Sequence, residues 1–373
     1  MFSPVTIIGA GLGGLVLARV LQLNGIPAMV YELDGSDQAR SQGGQLDLHP
    51  QNGQLALELA GLSEQFQSIV HMGGAAARIV DRHGVVLAER PDDGSMDNPE
   101  ALRGDIRRIL LDSLDPGTMQ WGKKLVSVVA LGEGRHELAF ADSTSMVTDV
   151  LVGADGVWSK VRPLLSDHVP TYSGLSYIDT YLDDVDARHR GAANVVGGGA
   201  LYALEPGRGF LAHRERGNRI HNYVVLDETP EWFHAINFDD TQSVKRQLVA
   251  KFDGWADELK ALITDSDSNP ILRSIYELPD DHRWDRSPGV TLIGDAAHAT
   301  VPGSDGANNA MLDGAQLAQS IAAHPDNIED ALTEFEHVMF TRSAAAAVVG
   351  HRDVELIFGS GAPHALADLF NGR

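Results

Sequence analysis

The sequence contains no cysteine. Disulfides, thiolate metal sites and cysteine nucleophiles are therefore excluded, and a cytoplasmic setting is the expectation. Positive charge is also scarce: 29 lysines and arginines stand against 52 aspartates and glutamates, a formal net charge of −23. A nucleic acid or an anionic membrane surface would be repelled, so neither is expected as a partner. No run of 18 uninterrupted apolar residues occurs, which argues against a transmembrane helix. The apolar stretch from Val5 to Leu23 has no basic segment before it and is broken by Gly9, Gly11, Gly13 and Gly14, so it does not read as a signal peptide. The 15 histidines show neither HxxxH nor HxH spacing, and no metal centre is expected. What remains is ordinary globular composition, 43% apolar and 22% charged, over 373 residues, long enough for two domains or one domain with a large insertion.

The opening residues set the fold class. Val5-Thr-Ile-Ile reads as a short buried strand, Gly9 to Gly14 as a turn, and Leu15 to Asn24 as a helix stopping at Gly25. Ala28 to Glu32 reads as the next strand, giving the β–turn–α–β unit of a parallel, doubly wound sheet. Residues 100–114 read as a helix, 125–140 as short alternating strands, and Val147 to Val152 as an apolar strand. From about Thr171 to Leu226 the alternation of tyrosine, histidine and apolar residues predicts an antiparallel sheet inserted into the α/β framework. Residues 241–265 return to helical spacing, Val290 to Ile293 is again a buried strand, and Asn308 to Phe370 is largely helical, broken near Gly359 to Pro363.

Three motifs carry chemistry. In Gly9-x-Gly11-x-x-Gly14, the first glycine permits a tight turn, the second lets a diphosphate approach the backbone, and the third lets helix and strand pack closely. The phosphate charge then sits at the helix N-terminus, where free N–H groups and the helix dipole favour it. Glu32, 21 residues after Gly11, can accept hydrogen bonds from ribose hydroxyls, which favours FAD or NAD over NADP. The second motif is Gly294-Asp295 at the end of an apolar strand, where ligands sit in such sheets; Asp295 is a ribityl-hydroxyl acceptor or else an N-cap. It leads into Pro302-Gly-Ser-Asp-Gly306-Ala307-Asn308, a loop opening a helix and another place for negative charge. The third is Asp155-Gly156 with Ser159 and Arg162, which taken alone reads as a strand-to-helix turn.

Together, in this order over nearly the whole chain, these motifs resemble the para-hydroxybenzoate hydroxylase type of FAD-dependent aromatic monooxygenase. Gly43-Gly44-Gln45-Leu46-Asp47-Leu48-His49, and Asp97 to Glu100 with Arg103, Asp105 and Arg107, are similar to the tetracycline-inactivating branch. The resemblance implies a Rossmann-like FAD-binding domain with an inserted antiparallel-sheet substrate domain and a C-terminal bracing helix. The corresponding division is 1–170 with 281–325, then 171–280, then 326–373. It implies FAD held by Gly9, Gly11, Leu12, Gly14, Glu32, Arg40, Gly44, Arg103, Asp155, Asp295, Pro302, Gly306, Ala307 and Asn308. It further implies NAD(P)H as a transient reductant and O2 adding at flavin C4a to a hydroperoxide that hydroxylates an electron-rich ring, tetracycline-type substrates included. Candidate substrate-facing residues on the inserted sheet are Tyr202, His213, His221 and Tyr223, none assigned as a catalytic group. Three positions depart from the family pattern: Leu33 replaces an arginine after the ribose acid, Ser304 a glycine, and Ala200 the substrate-binding arginine of the tetracycline branch.

Rival readings use the same residues. An NAD-dependent dehydrogenase accounts for the first motif but not for Asp155-Gly156 or Gly294-Asp295. A third reading keeps FAD in a non-redox role, as in a cyclase or binding protein. The single GxGxxG argues against a second dinucleotide domain, and a monomer or weak homodimer is expected.

Overall fold

The computed structural model describes residues 4–39, 43–71, 76–92, 94, 97–303 and 305–372. They fall into two compact units: 1–70 with 101–171 and 276–350, and 71–100 with 172–275 and 351–373. The second unit thus takes in 71–100 and 351–373 as well as the insertion legible in the sequence.

The first unit is built on a five-stranded sheet in the order Val290–Leu292, Leu151–Gly153, Val5–Ile8, Ala28–Tyr31, Met119–Gln120. Every pairing in it is parallel. Val5–Ile8 lies at its centre and is buried at all four positions, as a strand in a sheet covered on both faces must be; its one polar side chain, Thr6, donates to Thr148 Oγ1 at 2.9 Å. The helix Leu12–Leu23 follows at once and is buried along most of its length. It ends in a Schellman arrangement. Ile26 N–H donates to Leu21 O at 3.0 Å and Gly25 N–H to Gln22 O at 2.9 Å, while Gly25 takes φ 71°, the left-handed conformation that glycine adopts freely. A second long helix, Gly306–Ala323, packs against the first. A three-stranded antiparallel sheet (Leu125–Gly132, Arg135–Phe140, Ser145–Thr148) and a two-stranded pair (Gln45–Asp47 with Glu100–Leu102) complete the unit's strands.

The second unit holds a seven-stranded sheet in the order Ile271–Glu277, Thr171–Leu182, Arg219–Leu226, Arg208–Glu215, Ala200–Glu205, Ala77–Val80, Val86–Arg90. The strands from Thr171 to Leu226 pair antiparallel. Ala77–Val80, arriving from far upstream, joins Ala200–Glu205 in parallel. The alternation along these strands separates two faces. Ile178, Leu182, Leu201, Ala203, Phe210, Ala212, Ile220 and Val224 form a core with the helices Arg190–Val196, Thr241–Ala250 and Asp257–Thr264. Phe210 anchors that core, its ring 4.3 Å from Phe252 and 5.5 Å from Trp255; loss of such a buried ring costs about 3–5 kcal/mol. The chain then runs through the helix Ile328–Phe358, breaks, and ends in His364–Phe370.

Candidate functional site

In the first unit the glycine turn has the shape its sequence predicts. A Cβ on Gly9, whose φ is 107°, would overlap the carbonyl oxygen of Ala154, and one on Gly14 would overlap that of Gly9. A Cβ on Gly11 would meet nothing within 4 Å among the described residues. The turn is therefore closed wherever the protein packs on itself and open at the position where a diphosphate would approach. Among the described residues no side chain caps the helix that starts at Leu12, which leaves its first-turn amides for an anion.

Glu32, 4% exposed, is pinned from two sides. Ala10 N–H donates to its Oε2 at 2.6 Å and Asp34 N–H to its Oε1 at 3.0 Å. Each oxygen keeps a lone pair for a hydroxyl. Gly44 and Arg103, far apart in sequence, are joined by an Arg103 N–H bond to Gly44 O at 3.0 Å. Arg40 and Ser304 lie outside the described residues.

The mid-chain motif is a hydrogen-bonded turn. Asp155 Oδ2 accepts from Lys160 N–H at 2.7 Å, and Ser159 Oγ accepts from the amides of Val161 and Arg162. Arg162 ties this turn to the late motif, donating to Val157 O at 2.7 Å and Ala296 O at 3.1 Å. Asp155 Oδ1 is buried with no hydrogen-bond partner among the described residues, and burial raises the carboxyl pKa. A buried acceptor left open in this way suits a donor from a bound ligand.

Asp295 is exposed and is the first residue of the helix Asp295–His298, with Gly294 rather than itself as N-cap. Pro302, Gly306 and Ala307 are half-buried and Asn308 is buried. The Asn308 side chain is consumed internally: Oδ1 accepts from His49 N–H and Nδ2 donates to Asp47 O.

Several residues of this unit carry no role in the sequence reading. Arg107, 3% exposed, grips the glycine turn through Nε to Ala10 O at 3.2 Å and reaches Asp37 O at 3.1 Å. It lies one helical turn beyond Arg103, in the segment that resembles the tetracycline-inactivating branch, where no role was expected of it. Asp313, wholly buried, accepts from Gly294 N–H at 2.8 Å, lies 2.7 Å from His298 Nε2, and pairs with Arg342. Burial opposes charge on both groups, yet the His298 pKa is raised and that of Asp313 lowered by their attraction. His298 is thus a packed, paired histidine that fixes the Gly294-Asp295 turn.

In the second unit the cross-strand register sets Tyr202 opposite Leu211, His213 opposite both Ala200 and His221, and Tyr223 opposite both Leu211 and Asp179. All four candidate substrate residues therefore stand on one face, the face away from the helical core. They are not equivalent. His221 is 3% exposed, with Nε2 3.4 Å from Asp179 and Nδ1 3.5 Å from Glu215. Its ring stacks on Tyr181 at 4.3 Å and tilts against Tyr223 at 4.4 Å. Burial lowers its pKa, but the two carboxylates outweigh this and raise it. Both ring nitrogens of His221 are turned to acids, at 3.4 and 3.5 Å, so each already faces a carboxylate within the sheet. His213 lies 3.1 Å from Glu100, which raises its pKa against the effect of burial. Tyr202 packs edge-on to Phe370 at 6.3 Å, next to an apolar cluster of Tyr177, Val225, Phe358 and Leu366. Tyr223 and His213, half-buried and adjacent to the His221 ring, form the more accessible part of this surface. Among the described residues no cluster of side chains fits a metal ion.

Comparison with known proteins agrees with this geometry. A family model described as an FAD binding domain matches residues 3–332. Monooxygenase penA of Penicillium thymicola is 28% identical, with 92% of each chain covered. The 3-amino-4-hydroxybenzoate 2-monooxygenase of Streptomyces cremeus is 27% identical over 91% of this chain and 84% of its own. The crystal structure of tetracycline destructase Tet(51) superposes with a TM-score of 0.76 at 18% identity, covering 100% of this chain and 95% of that one, and shares the fold. The chain belongs to the FAD binding domain family.

Proposed function

We propose that this chain, an FAD-dependent monooxygenase, uses NAD(P)H and O2 to hydroxylate an aromatic or polyketide-like small molecule. The observation that carries the reading is the open face of Gly11 in a turn otherwise closed by its own backbone. In this reading the amides at Leu12 hold the diphosphate, Glu32 takes the ribose hydroxyls, and Arg107 fixes the turn between them. Arg103 and Gly44 help to hold the flavin, and the Asp295 carboxylate stands ready for the ribityl chain. The first-turn amides of Gly306, Ala307 and Asn308 face the pyrimidine edge, where a helix N-terminus favours negative charge. When bound, FAD supplies the redox chemistry that activates O2; the protein orients both partners and keeps water away.

On the second unit, Tyr223 and His213 would hold the substrate ring by edge and face contacts, beside the buried ring of His221. Ala200, directly across from His213, offers only a methyl group where a cation stands in the tetracycline-inactivating branch. A planar, electron-rich ring that needs no such anchor is the substrate class this favours, and tetracyclines belong in the same panel. We infer as well that the protein works in the cytoplasm as a monomer or weak homodimer. The cysteine-free sequence supports the compartment, and no described helix is long and apolar enough to cross a membrane.

The test is NAD(P)H oxidation by the FAD-loaded enzyme, stimulated by members of an aromatic panel, with products weighed for one added oxygen. Flavin-loaded enzyme that oxidises NAD(P)H with none of them and adds oxygen to none would defeat the proposal.

A further inference from the structure

The helix Gly306–Ala323 begins irregularly. Its N-cap, Asp305, has φ 57° and ψ 31°, a left-handed conformation that costs free energy for a residue with a Cβ. An aspartate here ordinarily turns back to accept from first-turn amides, but Asp305 makes no such cap. Its carboxylate reaches the other way. Oδ2 lies 2.7 Å from His49 Nδ1 and 3.4 Å from Asn52 Nδ2. His49 is held in turn, with Nε2 3.0 Å from Asp47 Oδ2 and its backbone N–H bonded to Asn308 Oδ1 at 3.2 Å. The imidazole thus stands between two carboxylates, on a segment bonded to the same helix start.

We propose that His49 is a positioning residue for the cofactor: by drawing the Asp305 carboxylate away from the helix, it keeps the amides of Gly306, Ala307 and Asn308 open to the flavin. The inference rests on the reading of that helix start as flavin-facing. Without His49, Asp305 relaxes to ordinary N-cap backbone and satisfies those amides with its own oxygen, placing a carboxylate where the electron-rich flavin edge belongs. The charged groups facing His49 are Asp47 and Asp305; burial lowers the imidazole pKa, but the two acids raise it overall, so the pair stays charged to higher pH than a free imidazole would allow.

The experiment titrates FAD into the deflavinated 373-residue chain and follows flavin fluorescence. His49→Leu should weaken binding by about three- to thirtyfold, the range an N-cap is worth. Adding Asp305→Gly, which removes the competing carboxylate and suits a positive φ, should restore most of the loss. His49→Leu protein that binds as tightly as wild type overturns the proposal, as does a double variant no tighter than His49→Leu alone. Should His49→Leu not fold, the pH dependence decides. Wild-type affinity should fall as pH rises through the His49 titration and that of Asp305→Gly should not; equal slopes overturn the proposal. Gly11→Val is the control for the underlying reading: if it binds FAD like wild type, or wild type binds none, that reading fails first and the role of His49 fails with it.

Discussion

Gly13 and Gly314 meet backbone to backbone where the helix Leu12–Leu23 crosses the helix Gly306–Ala323. A Cβ on Gly314 would overlap the Gly13 carbonyl oxygen and stand 2.9 Å from Leu17 N, and a Cβ on Gly13 would overlap the carbonyl oxygen of Ala310. The glycines set the separation of two helices whose starts are assigned to the diphosphate and the flavin edge. Gly13→Ala should force the crossing apart at a cost of about 1–3 kcal/mol. Thermal melting of the apo-protein would reveal the loss, with FAD affinity falling alongside. An unchanged melting temperature would show that the contact is looser than it looks.

Gly11→Val should behave in the opposite way. The added side chain enters open space, so the apo-protein should melt close to wild type while FAD binding is abolished, because the valine occupies the diphosphate position. Retained flavin in the purified variant would remove the cofactor assignment from this turn.

Arg107→Ala should both destabilise the fold and weaken FAD binding. It frees the Ala10 carbonyl, bonded at 3.2 Å, and the Asp37 carbonyl, bonded at 3.1 Å, and hydrogen bonds from a charged group contribute about 1.5–3 kcal/mol. Arg107→Lys should not rescue the loss, since one point charge cannot serve both carbonyls as the planar guanidinium does. Full recovery with lysine would mean that only the charge matters.

His221 gives a pH signature. Its pKa is raised in the fold by Asp179 and Glu215, against the effect of burial. A group raised in this way contributes stability that is fully present below its unfolded pKa of about 6.5 and is lost as pH rises through the folded value. Urea unfolding of wild type and His221→Asn should therefore differ most at mildly acidic pH and converge as pH rises. Curves that stay parallel throughout would show that the ring is already neutral.

How much of this was legible in the sequence depended on the range of the interaction. The glycine turn and Glu32 could be read because each position demands one residue type for a local reason. The tyrosine and histidine residues that share a sheet face could be read because strand alternation places them there. Arg107 on Ala10 and His49 on Asp305 could not, because partners 97 and 256 residues apart leave no local pattern. The strand Ala77–Val80 was missed for the same reason: four residues carry little periodicity, and their pairing with Ala200–Glu205 exists only in the folded chain. The same holds for Asp313, whose neighbours Gly294, His298 and Arg342 are assembled by two separate helices.

The guanidinium of Arg162 spans two turns, one carrying Asp155-Gly156 and the other Gly294-Asp295. Arginine keeps its proton throughout the range in which enzymes work. This staple therefore holds the two strand-end motifs in a constant geometry while the nearby imidazole networks gain and lose charge. Variation of flavin binding with acidity should accordingly be traced to the histidines and to the buried Asp155 carboxyl, since the arginine that aligns the two motifs does not titrate.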